Sequence, residues 1–211
     1  MTYYNNKYFN CQKKSGIFGG KANLNKFEEY IKPEYNVIDF GCGGGYLLAN
    51  LKCKGKIGID INLVAQQEAA SLGLTVYGRI EEVPDEWADL IISDNALEHT
   101  ECPFWELKRL YPKLKKQGMI VFVVPCDSVG YRYKSNDMNQ HLYSWSPMCL
   151  GNLFDMVGFK VLRVEPYIHK WPPYYEKIIK YFGKGIFNFT CRIYGRIERS
   201  WFQVRIVAKK I

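Results

Sequence analysis

The chain has 211 residues, 47% of them hydrophobic and 24% charged, which suits one folded domain with a sizeable core. The net charge of +8 is local: residues 170–211 carry ten Lys or Arg against two Glu, while residues 1–169 balance at 19 of each sign. No apolar run approaches the ~20 residues of a membrane-spanning helix, and Met1-Thr2-Tyr3-Tyr4-Asn5-Asn6-Lys7 lacks the apolar stretch of a secretion signal.

The first 20 residues bring Tyr3, Tyr4, Tyr8, Phe9 and Phe18 before Gly19-Gly20. This aromatic arm either folds over a ligand pocket or staples the terminus to the core. Leu24, Phe27 and Ile31 predict a helix from about Ala22 to Ile31, ended by Pro33. Val37-Ile38-Asp39-Phe40 then reads as a short buried strand running into Gly41-Cys42-Gly43-Gly44-Gly45, with helical spacing from Tyr46 to Leu51. Strand, glycine turn and helix together aim backbone N–H groups at a ligand.

A second buried strand, Lys56–Ile61, ends in the acid Asp60, and a helix over Leu63–Leu72 stops at Gly73. Leu74–Tyr77, Ala88–Asp94 and Gly118–Pro125 are further strands, with a helical stretch at Glu106–Leu114. Strands alternating with helices imply β-α-β units and a parallel sheet covered on both faces. Ser128–Ser146 is a polar, aromatic loop on the carboxyl side of that sheet. A helix over Met148–Val157, a strand over Phe159–Val164 and an edge or antiparallel strand over Gln203–Ala208 follow. Between the last two lies an aromatic and basic insertion, Trp171–Arg199. The chain reads as a single domain over 1–211, with an N-terminal arm and helix (1–33), a cofactor-binding core (34–127) and two acceptor-side segments (128–146 and 167–199). Seven scattered cysteines without a Cys-x-x-Cys pair argue against disulfides or a zinc site and for a reducing cytoplasm.

A dinucleotide fingerprint needs a third glycine where this chain has Tyr46. Asp39 changes the reading, because a carboxylate repels a pyrophosphate but suits a ligand carrying an ammonium and a sulfonium. Asp39-x-Gly41-x-Gly43-x-Gly45 resembles the first motif of class I S-adenosylmethionine-dependent methyltransferases. Ile57-Gly58-Ile59-Asp60-Ile61 resembles their second-strand motif. Asp94-Asn95-Ala96-Leu97-Glu98-His99 and the passage Leu107–Val124 resemble segments of the UbiE/UbiG-like branch. The resemblance spans Val37–Val164 and implies an α/β fold: a Rossmann-like seven-stranded, mostly parallel sheet with an antiparallel last strand and helices on both faces. It implies S-adenosyl-L-methionine as cofactor and S-adenosyl-L-homocysteine as product. Asp39, Gly41 and Gly43 would line the methionine part, Asp60 would hold the ribose hydroxyls, Ile61 and Ile80 would contact adenine, and Asp94 with Asn95 would close the methionine side. Arg79 stands where the family often has an acid for the adenine amine.

Methyl transfer to a hydroxyl benefits from a base. The pattern around Asn136–Trp145 resembles an O-methyltransferase loop, which makes His141 the expected base, with Asp137 orienting it or meeting substrate. His99, just past the fourth strand, is a second catalytic candidate, with a structural role favoured for it. Asp94, Asp127, Asp137 and His141 offer ligand types for a divalent metal, but their spacing specifies none, and no metal is assigned. Aromatic rings beside amides, among them Tyr131, Tyr143 and Trp145, with His169 nearby, suit a sugar. The leading expectation is O-methylation of a sugar or glycan hydroxyl. A quinone or phenol at a membrane surface is the alternative, since the basic C-terminal segment suits an anionic membrane or a phosphorylated donor. A third reading, from another class, is an RNA-binding module using that segment; the cofactor motif ranks nucleic acid last.

Overall fold

The computed structural model describes residues 6–211 apart from 136 and 138, so Tyr3, Tyr4 and Asn136 lie outside the described residues. Seven strands form one sheet in the order β3-β2-β1-β4-β5-β7-β6. They are β1 Asn36–Phe40, β2 Gly55–Ile59, β3 Thr75–Tyr77, β4 Ala88–Asp94, β5 Leu114–Asp127, β6 Lys160–Tyr167 and β7 Trp201–Lys209. The first five pair in parallel, and β7 runs antiparallel between β5 and β6. The strand expected to be an edge or an antiparallel one is antiparallel and lies inside the sheet, where Val204, Ile206, Val207 and Ala208 are all buried.

Successive residues of a strand face opposite sides of the sheet, and the core divides accordingly. Ile38, Phe40, Ile91, Phe122 and Ile206 pack on one face with Leu107 and Phe154. Val37, Leu90, Ile92, Val121 and Val207 pack on the other with Phe27 and Leu48. The covering helices are α1 Asn6–Ala22, α2 Tyr46–Ala49, α3 Leu63–Ser71, α4 Pro103–Leu110, α5 Pro147–Val157 and α6 Tyr175–Ile197. Asn62 caps α3 by accepting from the Val64 N–H, and Gly158 ends α5 at φ 109°.

The N-terminal region departs from the sequence reading. The long helix is α1, and the segment expected to be helical is two 3₁₀ turns, Asn23–Lys26 and Glu28–Tyr30. Those turns still bury Phe27 completely. Glycine in α1 is a close-approach device: a Cβ on Gly20 would lie 2.6 Å from the Tyr46 carbonyl oxygen. The basic insertion is also helical. In α6 the buried Phe187, Cys191 and Gly195 recur every four residues, and Phe187 and Cys191 pack on Ala22 and Phe18 of α1. No helix among the described residues is long and apolar enough to cross a membrane.

Candidate active site

Strand order reverses between β1 and β4, and in an open α/β sheet that point opens a crevice at the carboxyl ends of the strands. Here the crevice is a cleft of about 1440 Å³, reaching from the glycine turn to the 131–142 loop and roofed on one side by α1. All eight residues expected on the cofactor side line it: Asp39, Gly41, Gly43 and Asp60, then Ile61, Ile80, Asp94 and Asn95.

The turn after β1 is built for close approach. Gly41 sits at φ 73°, and a Cβ there would lie 2.2 Å from the Ala96 Cβ. Gly41→Ala is expected to lower stability by more than the ~1–2 kcal/mol of left-handed strain alone, because the clash adds to it. Thermal unfolding of the variant measures this. The Gly43 N–H donates to Asp60 Oδ2 at 2.7 Å, and the Asn62 N–H donates to Oδ1 at 2.9 Å, which aims the carboxylate into the cleft.

Three carboxylates converge at this end. Burial pushes the Asp39 carboxyl well above its ordinary range, and its neighbours Asp94 and Asp60 push the same way. Burial also raises Asp60, against the two backbone N–H groups that hold it. Lys26 Nζ, which sequence reasoning missed, donates to Asp94 Oδ1 at 2.7 Å, and Asn23 Nδ2 donates to Oδ2 at 2.8 Å. Asn95, at φ 57°, accepts from Gln203. Asp94 is thus already engaged by the N-terminal turns. Removing one partner of a buried pair costs about 3–5 kcal/mol, so Lys26→Met is expected to lower the urea midpoint sharply. A variant within about 1 kcal/mol of the parent would contradict that assignment.

This end of the cleft fits S-adenosylmethionine. Buried carboxylates match a sulfonium and an ammonium, Asp60 keeps lone pairs for a ribose diol, and Ile61, 63% exposed, offers an apolar face to an adenine. Ile80 belongs to the core and to the cleft wall at once.

The other end gathers imidazoles and carboxylates. His141 lines the cleft with Glu98 Oε1 4.0 Å from its Nε2 and Asp127 Oδ2 4.0 Å from its Nδ1. The His99 ring meets His141 edge-on at 5.1 Å. Burial lowers His141, against the pull of Asp127 and Asp137. His99 is pushed down to about 4 by burial and then by His141, and Glu98 is pushed up to about 8, chiefly by burial. Asp137 also lines the cleft and accepts from the Gln140 N–H at 3.0 Å. Glu98 was visible in the motif as a letter; its place beside His141 needed the fold.

On the acceptor side, Tyr131 lines the cleft, but three other expected residues do not. Trp145 is carried into the core because its backbone N–H donates to the Pro125 carbonyl, and Tyr143 stacks on it with its hydroxyl on the Glu101 carbonyl. His169 is buried beneath α6, its Nε2 3.0 Å from Asn188 Oδ1. The four residues considered for a metal do not assemble either. Among the described residues, the group close enough to share an ion is Glu98, His99 and His141.

A sheet of this order with its reversed inner strand, a glycine turn after β1 and an acid after β2 define the S-adenosylmethionine-dependent methyltransferase class. Residues 17–164 match the family described as a methyltransferase domain, and the chain belongs to that family. It is similar to the mitochondrial ubiquinone biosynthesis O-methyltransferase of Saccharomyces cerevisiae, 29% identical over 160 residues, which cover 69% of this chain and 44% of that protein. The chain thus spans less than half the length of this curated relative. An S-adenosylmethionine-dependent methyltransferase from Archaeoglobus fulgidus shares the fold, with a TM-score of 0.67 and 22% identity over 96% of this chain and 99% of that one. Phosphoethanolamine N-methyltransferase 2 of Haemonchus contortus, in complex with S-adenosylhomocysteine and phosphomonomethylethanolamine, gives a TM-score of 0.63 at 15% identity over 89% and 52% of the two chains.

Proposed function

We propose that the protein moves a methyl group from S-adenosylmethionine to a hydroxyl, and that the hydroxyl belongs to a sugar or glycan. The observation that carries this reading is the imidazole of His141, set in the cleft wall with a carboxyl group facing each ring nitrogen, from Glu98 and from Asp127. A nitrogen acceptor already deprotonated needs no such group; a hydroxyl does. When bound, S-adenosylmethionine supplies a methyl whose C–S bond breaks as the acceptor oxygen attacks, leaving a neutral thioether. The chain's own contribution is position and a proton path. Asp39, Asp60 and the glycine turn hold the cofactor end, and residues 131–135 and 139–142 border the acceptor space. His141, held below its ordinary range by burial, is neutral at neutral pH and able to take the hydroxyl proton. Tyr131 and Tyr133 offer ring faces at the cleft, with Asn139 and Gln140 beside them for sugar hydroxyls. Incubation with methyl-labelled cofactor and nucleotide-sugar or deoxysugar acceptors is expected to give alkali-stable ether label. Label appearing only on amines would overturn the reading.

A second reading, a quinone or phenol met at a membrane surface, draws support from α6 and from the name of the yeast relative. Phe182, Phe189 and Ile197 are more than half exposed on that helix, interleaved with Lys177, Lys180 and Lys184. Co-sedimentation with anionic vesicles, lost in Phe182→Asp/Phe189→Asp, would favour it over the sugar.

A further inference from the structure

The cations that line the cleft are held by carboxylates, with two exceptions. Lys13 is taken by Glu68 at 2.8 Å, Arg79 by Glu81 at 3.6 Å, and Arg109 by Glu106 at 2.8 Å and Glu81 at 3.4 Å. Arg132 and Lys134 line the cleft too, and among the described residues neither has a carboxylate partner. Both stand exposed on the loop that follows β5. Turns pin the short segment that carries them at both ends. The Tyr131 N–H donates to the Ser128 carbonyl at 2.9 Å, and the Asp137 N–H donates to the Lys134 carbonyl at 3.2 Å.

Tyr131-Arg132-Tyr133-Lys134 alternates ring and cation, and all four residues border the acceptor space. Tyr133 is 90% exposed, and Lys134 Nζ lies 6.0 Å from the centroid of the Tyr131 ring. That ring contact orients the ammonium without neutralising it. An exposed cation is by itself only a solvated one; the charges around this pair give it a use. Deeper in the cleft stand Asp39 and Asp60 at the cofactor end, and Asp127 and Asp137 near His141. Such a lining suits a cationic cofactor and repels an anion. An acceptor that carries negative charge has to leave it at the rim, and Arg132 and Lys134 are the rim cations with charge to spare. The guanidinium fork matches two phosphate oxygens, and the ammonium adds a point charge beside it.

We propose that Arg132 and Lys134 bind a phosphate group carried by the acceptor, so that the sugar enters as a phosphate ester or diphosphate and not as a neutral glycan. Two cations match the double charge of a phosphate, whereas a sugar carboxylate brings a single charge. The phosphate stays at the cleft mouth, and the rings of Tyr131 and Tyr133 border the path of the group attached to it. This deepens the O-methylation reading and rests on it for what happens to the sugar; the phosphate binding itself does not.

The test is calorimetric titration of the whole chain, saturated with S-adenosylhomocysteine. The probes are UDP, dTDP, GDP and inorganic pyrophosphate, with uridine and glucuronate as controls. One or more of the diphosphates is expected to bind saturably, at least about tenfold more tightly than either control, and to weaken as salt is raised. Arg132→Ala/Lys134→Ala is expected to weaken that binding by more than about tenfold, with the S-adenosylhomocysteine Kd and the far-UV circular dichroism unchanged. A nucleotide bound more tightly than pyrophosphate assigns the phosphate to a nucleotide-sugar; pyrophosphate bound equally well assigns it to another carrier. No saturable binding of any diphosphate, glucuronate bound as tightly as the best of them, or unchanged affinity in the double variant would overturn the site. Methyl label found only on amines, with diphosphate binding intact, would retain the site and remove the hydroxyl acceptor.

Discussion

Asp60→Ala is expected to weaken S-adenosylmethionine binding about 100-fold while the protein stays folded. The carboxylate is half-buried, and each of its oxygens accepts one backbone N–H, from Gly43 at 2.7 Å and Asn62 at 2.9 Å. Those bonds leave lone pairs directed into the cleft for a ribose diol. Hydrogen bonds to a charged group contribute about 1.5–3 kcal/mol each, and losing two of them at the low end gives about 3 kcal/mol, or roughly 100-fold in Kd. The Gly43 N–H loses its acceptor at the same time, so the glycine turn loosens. Asp60→Asn keeps one acceptor oxygen and is expected to recover part of the affinity. Calorimetric titration with cofactor and with S-adenosylhomocysteine measures both variants. An Asp60→Ala protein binding as tightly as the parent would show that the cofactor lies elsewhere in the cleft.

For His141→Ala the expected change falls on turnover. General-base catalysis contributes about 10²–10⁴-fold, so kcat should fall within that range while the cofactor Kd stays constant. His141 belongs to the 131–142 end of the cleft, whereas the cofactor groups cluster at the glycine turn. A variant with unchanged kcat would remove His141 as the base.

Sheet and cofactor end were legible because their signals are local. Val37–Phe40, Ile57–Ile59 and Leu90–Ile92 are largely apolar runs too short for core helices, and each ends at a residue that lines the cleft or within two residues of one. In a parallel sheet, reading where a strand stops is reading where the ligand sits. Helix α1 was not legible, because Gly16, Gly19 and Gly20 give it little helical propensity; what holds it is contact with α2 and α6, which no periodicity shows. Trp145 and Tyr143 lie outside the cleft lining for a related reason. One backbone hydrogen bond to Pro125 turns Trp145 inward, and a loop's path is invisible in its composition. Lys26 and Glu98 were missed because each acquires its meaning from a neighbour distant in sequence and close in space, Asp94 for Lys26 and His141 for Glu98.

Helix α1 roofs the cofactor end, and that has a kinetic consequence. Tyr8, Gln12 and Gly16 all face the cleft, so a ligand at the glycine turn has this helix over it. Ion pairs tack the roof to its surroundings: Lys13, partly exposed, to Glu68 at 2.8 Å and Lys14, well exposed, to Glu176 at 3.4 Å. Exposed pairs weaken as salt screens them. Spent cofactor should therefore leave faster at higher ionic strength, and the enzyme's throughput would answer to salt through the rate at which its N-terminal helix lifts.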